Sequence, residues 1–113
     1  MENHFERLAN HSALEDWIGR SYREPVVIFK HSDTCGISSR AYAEMIRLDR
    51  PVALVTVQME RKVSNEIEAR FKVAHESPQA LVLRNGEIVW SASHGQISTD
   101  ALAAAMEAAG AKQ

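Results

Sequence analysis

The chain has one cysteine, Cys35, set in the stretch His31-Ser32-Asp33-Thr34-Cys35-Gly36-Ile37-Ser38. The apolar run Val26-Val27-Ile28-Phe29 precedes this stretch, and a segment with helical periodicity follows it. A strand that hands a thiol to the first turn of a helix places it among unpaired backbone N–H groups and at the positive end of the helix dipole. Both favour the thiolate over the thiol. The chemistry this suggests is thiol–disulfide exchange. With a single cysteine no internal disulfide exists, so any disulfide must be made to a second molecule. Three residues on, where a two-thiol motif keeps its resolving cysteine, stands Ser38, which cannot resolve a disulfide. A two-cysteine mechanism is therefore excluded. The plainer alternative, a small buried hydrophobe, is common for free cysteines but suits the polar, turn-like flanks poorly.

The activation such a site supplies is modest. A thiol with an ordinary pKa near 8.5 is roughly 3% ionised at pH 7. A helix terminus worth about 0.3–1 kcal/mol raises that fraction several-fold at most. Lowering the pKa also weakens the nucleophile, with a Brønsted slope of about 0.4–0.5. Most of the rate must come from holding the target disulfide in line, which calls for a docking surface.

The elements that position the thiol follow from periodicity. Ser12-Ala13-Leu14-Glu15 matches a capping box, and Leu14, Trp17, Ile18 and Tyr22 give a first helix running to Ser21 or Tyr22. Residues 1–11 show no period and read as a lead-in. Val26–Phe29 is a strand covered on both faces. A second helix begins near Cys35 or Gly36, with Ile37, Ala41, Met45 and Leu48 as its buried stripe. Val52–Val57 is a second buried strand. A third helix over Lys62–Ala74 buries Val63, Ile67, Phe71 and Ala74, with Glu66–Arg70 and Glu68–Lys72 as outward pairs. Asn85-Gly86 joins Gln79–Leu83 to Ile88–Trp90 as a hairpin, because both turn positions want positive φ. A last helix from Ser98 or Thr99 buries Leu102, Ala105, Met106 and Ala109 and stops at Gly110.

The order α-β-α-β-α-β-β-α makes the first two strands parallel, through a right-handed crossover, and the last two an antiparallel hairpin. A four-stranded mixed sheet with helices on both faces follows, in one domain over residues 1–113 with its core at about 12–109. This is an α/β, thioredoxin-like architecture. It carries an independent check: a proline opens the third strand opposite the thiol helix, and Pro78 stands there.

Taken together, Ile28-Phe29-Lys30-His31-Ser32, Thr34-Cys35, Ile37-Ser38 and Glu76-Ser77-Pro78-Gln79 resemble the thioredoxin superfamily, and within it the monothiol bacilliredoxins, the YtxJ-like redox proteins of the bacillithiol system. The likeness covers nearly all of 12–109. The family's usual Thr-Cys-Pro-Ile-Ser is here Thr34-Cys35-Gly36-Ile37-Ser38, and Gly36 also brings the segment close to the Cys-Gly-Phe-Ser of monothiol glutaredoxins. The resemblance implies reduction of mixed disulfides between cytosolic proteins and a small thiol such as bacillithiol. The small thiol acts as a co-substrate, with no cofactor bound. It also implies a cis bond before Pro78.

On this reading Cys35 is the nucleophile. Thr34 caps the helix or lines the groove, and Ser38 donates to the Cys35 sulfur from one turn along or bonds to backbone. Ser77 offers its backbone N–H and C=O to the incoming thiol as an added short strand would, and Pro78 keeps that edge free. Lys30 and Arg40 are candidates for the carboxylates of an anionic thiol, Arg40 being better shaped for a bidentate contact. A solvated surface charge is the ordinary role of either. His31 and His75 could tune the thiolate or simply pack. No histidine pair has helix-face metal spacing, so no metal is expected.

A net charge of −2 with no basic cluster gives no reason to expect nucleic acid. No apolar run approaches the roughly 20 residues of a membrane span, and the polar start lacks a secretory signal, so a cytoplasmic protein is expected. Two other classes remain. One is an iron–sulfur carrier, a homodimer holding a cluster on two Cys35 thiolates and two small thiols. The other is a thioredoxin-like interaction module without enzymatic activity. A cysteine hydrolase would need a base histidine and an orienting Asn or Asp, which nothing in the sequence supports.

Overall fold

An uninterrupted apolar run can be satisfied only inside a sheet with both faces covered, and the computed structural model puts Val26–Phe29 there. It describes residues 4–32 and 36–111, with residues 36–38 and 111 described by their backbone alone. The strands are β1 (Phe5–Arg7), β2 (Val26–His31), β3 (Val52–Thr56), β4 (Gln79–Arg84) and β5 (Glu87–Ser93). The helices are α1 (His11–Arg20), α2 (Gly36–Arg47), α3 (Arg61–Phe71) and α4 (Thr99–Ala111), with a short 3-10 turn at His94–Gln96. The sheet order is β1-β3-β2-β4-β5. β1 and β2 run parallel to β3, β4 is antiparallel to β2, and β5 is antiparallel to β4. Among the described residues no helix is long and apolar enough to cross a membrane.

The sheet has five strands, one more than the sequence predicts, because the expected lead-in contains β1. Phe5, Glu6 and Arg7 pair with Val52, Ala53 and Leu54, and Leu8 behind them is wholly buried. Such a short strand has no periodicity of its own; β3, distant in sequence, selects it.

Side-chain alternation along β2 separates two cores. Val27 and Phe29 face α2 and α4 with Ala41, Met45, Leu48, Leu102 and Met106. Val26 and Ile28 face α1 and α3 with Leu14, Trp17, Ile18, Val63 and Ile67. The predicted stripes of α2 and α4 are therefore the buried ones, with Ala105 partly buried, Leu48 just past the end of α2, and Ile37 outside the described side chains. By the same alternation Lys30 is directed to the α1/α3 side and His31 to the α2/α4 side.

Several helix boundaries differ from the predicted ones. The cap of α1 is Asn10, whose side chain accepts from the Ala13 N–H at 2.9 Å, and not Ser12. α1 also ends at Arg20, leaving Tyr22 60% exposed and outside the core. Buried Ser21 ties this end to the hairpin: its carbonyl accepts from Asn85 N (2.7 Å) and Arg84 Nη1 (2.8 Å), and its Oγ accepts from Gly86 N (2.9 Å). α3 stops at Phe71 because Lys72 turns left-handed (φ 55°) and the Val73 N–H bonds back to the Glu68 carbonyl. That closure packs Val73 against the core and leaves Ala74 exposed. α4 runs through Gly110 to Ala111. The hairpin has the predicted turn, with Asn85 at φ 57° and Gly86 at φ 77°.

Candidate active site

The C-terminal end of β2, the first turn of α2 and the N-terminal end of β4 meet at one end of the sheet. β2 leads to Ser32 and α2 starts at Gly36, so the chain enters and leaves the Cys35 stretch at this end. Thr34 and Cys35 lie outside the described residues. Gly36 is the first residue of α2, and Ser38 falls in its first turn with its side chain outside the description. Residue 35 thus directly precedes a twelve-residue helix in the chain, the placement at which a helix N-terminus favours a thiolate.

Ser77 and Pro78 stand at the start of β4, beside the end of β2, since Gln79 pairs with Lys30. The Ser77–Pro78 peptide bond is cis, as the resemblance implies. Pro78 is buried and its carbonyl accepts from the His94 N–H at 3.1 Å. Among the described residues no backbone hydrogen bond engages Ser77, and its buried Oγ has no partner. A buried hydroxyl left unpaired costs about 1–3 kcal/mol, so this edge has the capacity for one more hydrogen-bond partner.

The two cationic candidates separate. Arg40 is exposed on α2, one turn before Glu44, whose carboxylate it helps to hold ionised. Lys30 cannot be a surface anion-binding lysine. It is 0% exposed, because strand alternation turns it in with Val26 and Ile28. Its Nζ lies 3.2 Å from His75 Nδ1, and among the described residues no carboxylate is within ion-pair distance. Burial pushes the Lys30 ammonium below its usual range, with the Glu68 charge opposing.

Both histidines singled out from the sequence acquire definite surroundings. His31 is nearly buried against Tyr42 and Phe29, with ring centroids 4.9 and 5.7 Å away, and its carbonyl accepts from Val57 N. His75 is exposed and bridges Lys30 to Ser64, whose Oγ lies 3.4 Å from the same Nδ1. Partial burial and the Lys30 charge hold His75 below the usual histidine range.

Three features escaped the sequence reading. Gln58 donates to Ser32 Oγ at 2.8 Å, tying the end of β2 to the turn after β3. Buried Glu60 accepts from Thr56 N at 2.8 Å and from Arg7 Nε, binding that turn to β1. A cavity of about 370 Å³, lined by His31, Ser39, Tyr42, Leu54 and Thr56, opens between α2 and the ends of β2 and β3. None of the three has a signal in a short window of sequence, because each joins residues brought together by the fold. Away from this end, His11, Glu15 and Glu66 cluster between α1 and α3, where the Arg70 guanidinium binds both carboxylates as an ionic clamp.

Comparison with known proteins fits this geometry. A solved thioredoxin-fold protein described as an inferred oxidoreductase is 36% identical, with a TM-score of 0.84 over 91% of this chain and 94% of its own. Thioredoxin from Fasciola hepatica (17% identity, TM-score 0.71, 92% and 98% covered) shares the fold. So does a mutant thioredoxin from Halobacterium salinarum (17% identity, TM-score 0.73, 96% and 93% covered). The family model for monothiol bacilliredoxin BrxC matches residues 6–102. With that match across most of its length and a thioredoxin fold around a single thiol, the chain belongs to the monothiol bacilliredoxin family, a group of thiol-redox proteins.

Proposed function

We propose that the protein reduces mixed disulfides between cytosolic proteins and a low-molecular-weight thiol of the bacillithiol type. The Cys35 thiolate attacks the small thiol's sulfur. The sulfur–sulfur bond to the protein breaks, the protein leaves as a thiolate that takes up a proton, and the small thiol stays disulfide-bonded to Cys35. A second small-thiol molecule, as its thiolate, attacks the small thiol held on Cys35. It departs as the symmetrical small-thiol disulfide and returns Cys35 to thiolate. Ser38, in the place of a resolving cysteine, leaves this external resolution as the one available route.

The observation that carries the reading is the unengaged Ser77 backbone beside a cis Pro78, at the sheet end where a lone cysteine precedes α2. A peptide-like thiol compound can pair with that edge as an added strand would. Arg40, exposed on α2, is the remaining cation for carboxylates of the small thiol.

The test is intact-mass spectrometry of the pure protein after separate incubation with oxidised bacillithiol and oxidised glutathione. One adduct on the wild type, absent in Cys35→Ser and larger in yield with bacillithiol, is expected. No adduct with either disulfide would remove the redox assignment. Visible absorption after anaerobic reconstitution with iron and sulfide would redirect it to cluster carriage.

A further inference from the structure

We propose that Lys30 is a positioning residue for substrate docking, acting through His75 as a clasp that holds the Ser77–Pro78 rim in register with the end of β2. The inference rests on the preceding reading of that rim as the docking edge.

Lys30 is wholly buried on the α3 side of β2, in a place where an aliphatic residue would complete the core. A buried ammonium is expensive, and a strand that accepts one beside a functional site breaks its own pattern for a reason to be found at that site. Its contact is with a loop. Nζ lies 3.2 Å from His75 Nδ1, two residues before Ser77. An ammonium has donors and no acceptor, so His75 must present a bare Nδ1 and carry its proton on Nε2. The pair therefore holds one ionisable proton when closed.

Two further bonds hold the same segment. Gln79 Nε2 donates to the Ala74 carbonyl at 3.0 Å, and the His94 N–H donates to the Pro78 carbonyl at 3.1 Å. Lys30 and Gln79 are direct partners across β2 and β4. The paired residues at the sheet end thus reach out together to Ala74 and His75, while the bond from His94 to Pro78 holds the other end of the segment. Removing the lysine arm leaves the segment to those two bonds, the weaker Ser64 Oγ contact on His75 and the His94–Glu76 pair, both at 3.4 Å.

The clasp has a defined response to acid. His75 is faced by Lys30 from β2, by Arg61, Ser64 and Glu68 from α3, and by Glu76 beside it in the loop. Burial, Lys30 and Arg61 disfavour its protonation, while Glu68 and Glu76 favour it, and the net shift is downward. At neutral pH the clasp is closed. As pH falls through the lowered His75 value, Nδ1 gains a proton, two cations oppose each other, and the clasp opens.

Steady-state reduction of a model protein carrying a bacillithiol mixed disulfide tests this, run from pH 5 to 8 on wild type, Lys30→Met, His75→Ala and His75→Asn. The rate of Cys35 alkylation by iodoacetamide is measured alongside. At pH 7, Lys30→Met and His75→Ala are expected to raise KM about five- to tenfold, the equivalent of one ordinary hydrogen bond, because the segment keeps its other ties. Their kcat and alkylation rates should stay within about twofold of wild type, since a positioning role leaves the thiol itself alone. His75→Asn keeps an acceptor where Nδ1 was and cannot be protonated, so it should retain the low KM and lose the wild type's rise in KM at the acid end of the range. Unchanged KM in both Lys30→Met and His75→Ala would overturn the proposal. So would altered alkylation with unaltered KM, or His75→Asn behaving as His75→Ala. An inactive wild type would instead overturn the functional reading on which this one rests.

Discussion

Replacing Lys30 with methionine should leave the fold as stable as before or make it more so, although the residue is 0% exposed. Most substitutions at such a site cost about 2–5 kcal/mol by opening a cavity. Methionine nearly matches the lysine stem in length and fills the space, so little cavity forms. What is lost is the hydrogen bond from Nζ to His75, worth about 1.5–3 kcal/mol as a charged bond. His75 is exposed and can exchange that bond for one with water. What is relieved is the desolvation of an ammonium with no carboxylate at ion-pair distance among the described residues, a penalty of several kcal/mol. The net expectation at pH 7 is a gain of about 0–3 kcal/mol. In a domain of this size each kcal/mol moves Tm by about 3–5 °C.

The pH dependence of the difference between the two proteins identifies the cause. Burial lowers the native Lys30 value below that of the unfolded chain. Between the two values the unfolded state binds the extra proton, so wild-type stability rises with pH in that window. The advantage of Lys30→Met should be full below the native value and shrink as pH climbs toward the unfolded lysine's value near 10.4. Urea denaturation of both proteins at pH 7, 9 and 10.5 measures it. A loss above about 2 kcal/mol in Lys30→Met at pH 7, or a difference that does not change with pH, would refute the account.

Two further outcomes test the local structure. Asn10→Ala should cost about 1 kcal/mol by removing the cap on Ala13 N, and Ser12→Ala should cost under about 0.5 kcal/mol, both read by urea denaturation; the opposite ranking would restore the capping box. Glu44 accepts from Thr99 N (2.7 Å) and Thr99 Oγ1 (2.8 Å), bonds that hold its carboxyl below the usual range and tie the start of α4 to α2. That stabilisation is present above the unfolded carboxylate value and lost as pH falls through the native one. Glu44→Gln should therefore be less stable than wild type at pH 7 and converge with it in acid, and parallel acid-unfolding curves by circular dichroism would contradict this.

What could be read from the sequence was whatever a short window specifies. Val26–Phe29 and Val52–Val57 had no satisfactory place but a covered sheet, Asn85-Gly86 supplied the positive φ its turn needs, and Pro78 fell where the element order required it. The misses came from long-range choices. β1 exists because β3 offers an open edge to Phe5–Arg7. α3 gives up its last predicted turn so that Val73, and not Ala74, meets the core. Asn10 displaced Ser12 as a cap because α1 starts two residues sooner, and both residues have the chemistry for the role. The site divides in the same way: the place of Ser77–Pro78 at the sheet end was legible, while the burial of Lys30 depended on strand parity that only the assembled sheet fixes.

Lys30 is where local preference and global structure disagree most sharply. A surface lysine would have served an anionic ligand directly, and an aliphatic residue would have served the core. The side chain present does neither, and its reach ends at the loop that carries Ser77. If Lys30→Met proves more stable and docks substrate less well, stability and docking are opposed at one buried nitrogen. That opposition is expected of a group retained for the geometry it imposes and against its own solvation. If stability and docking fall together, Lys30 is an ordinary structural residue whose buried cost is smaller than argued, and the rim owes its position to Gln79, His94 and Ser64.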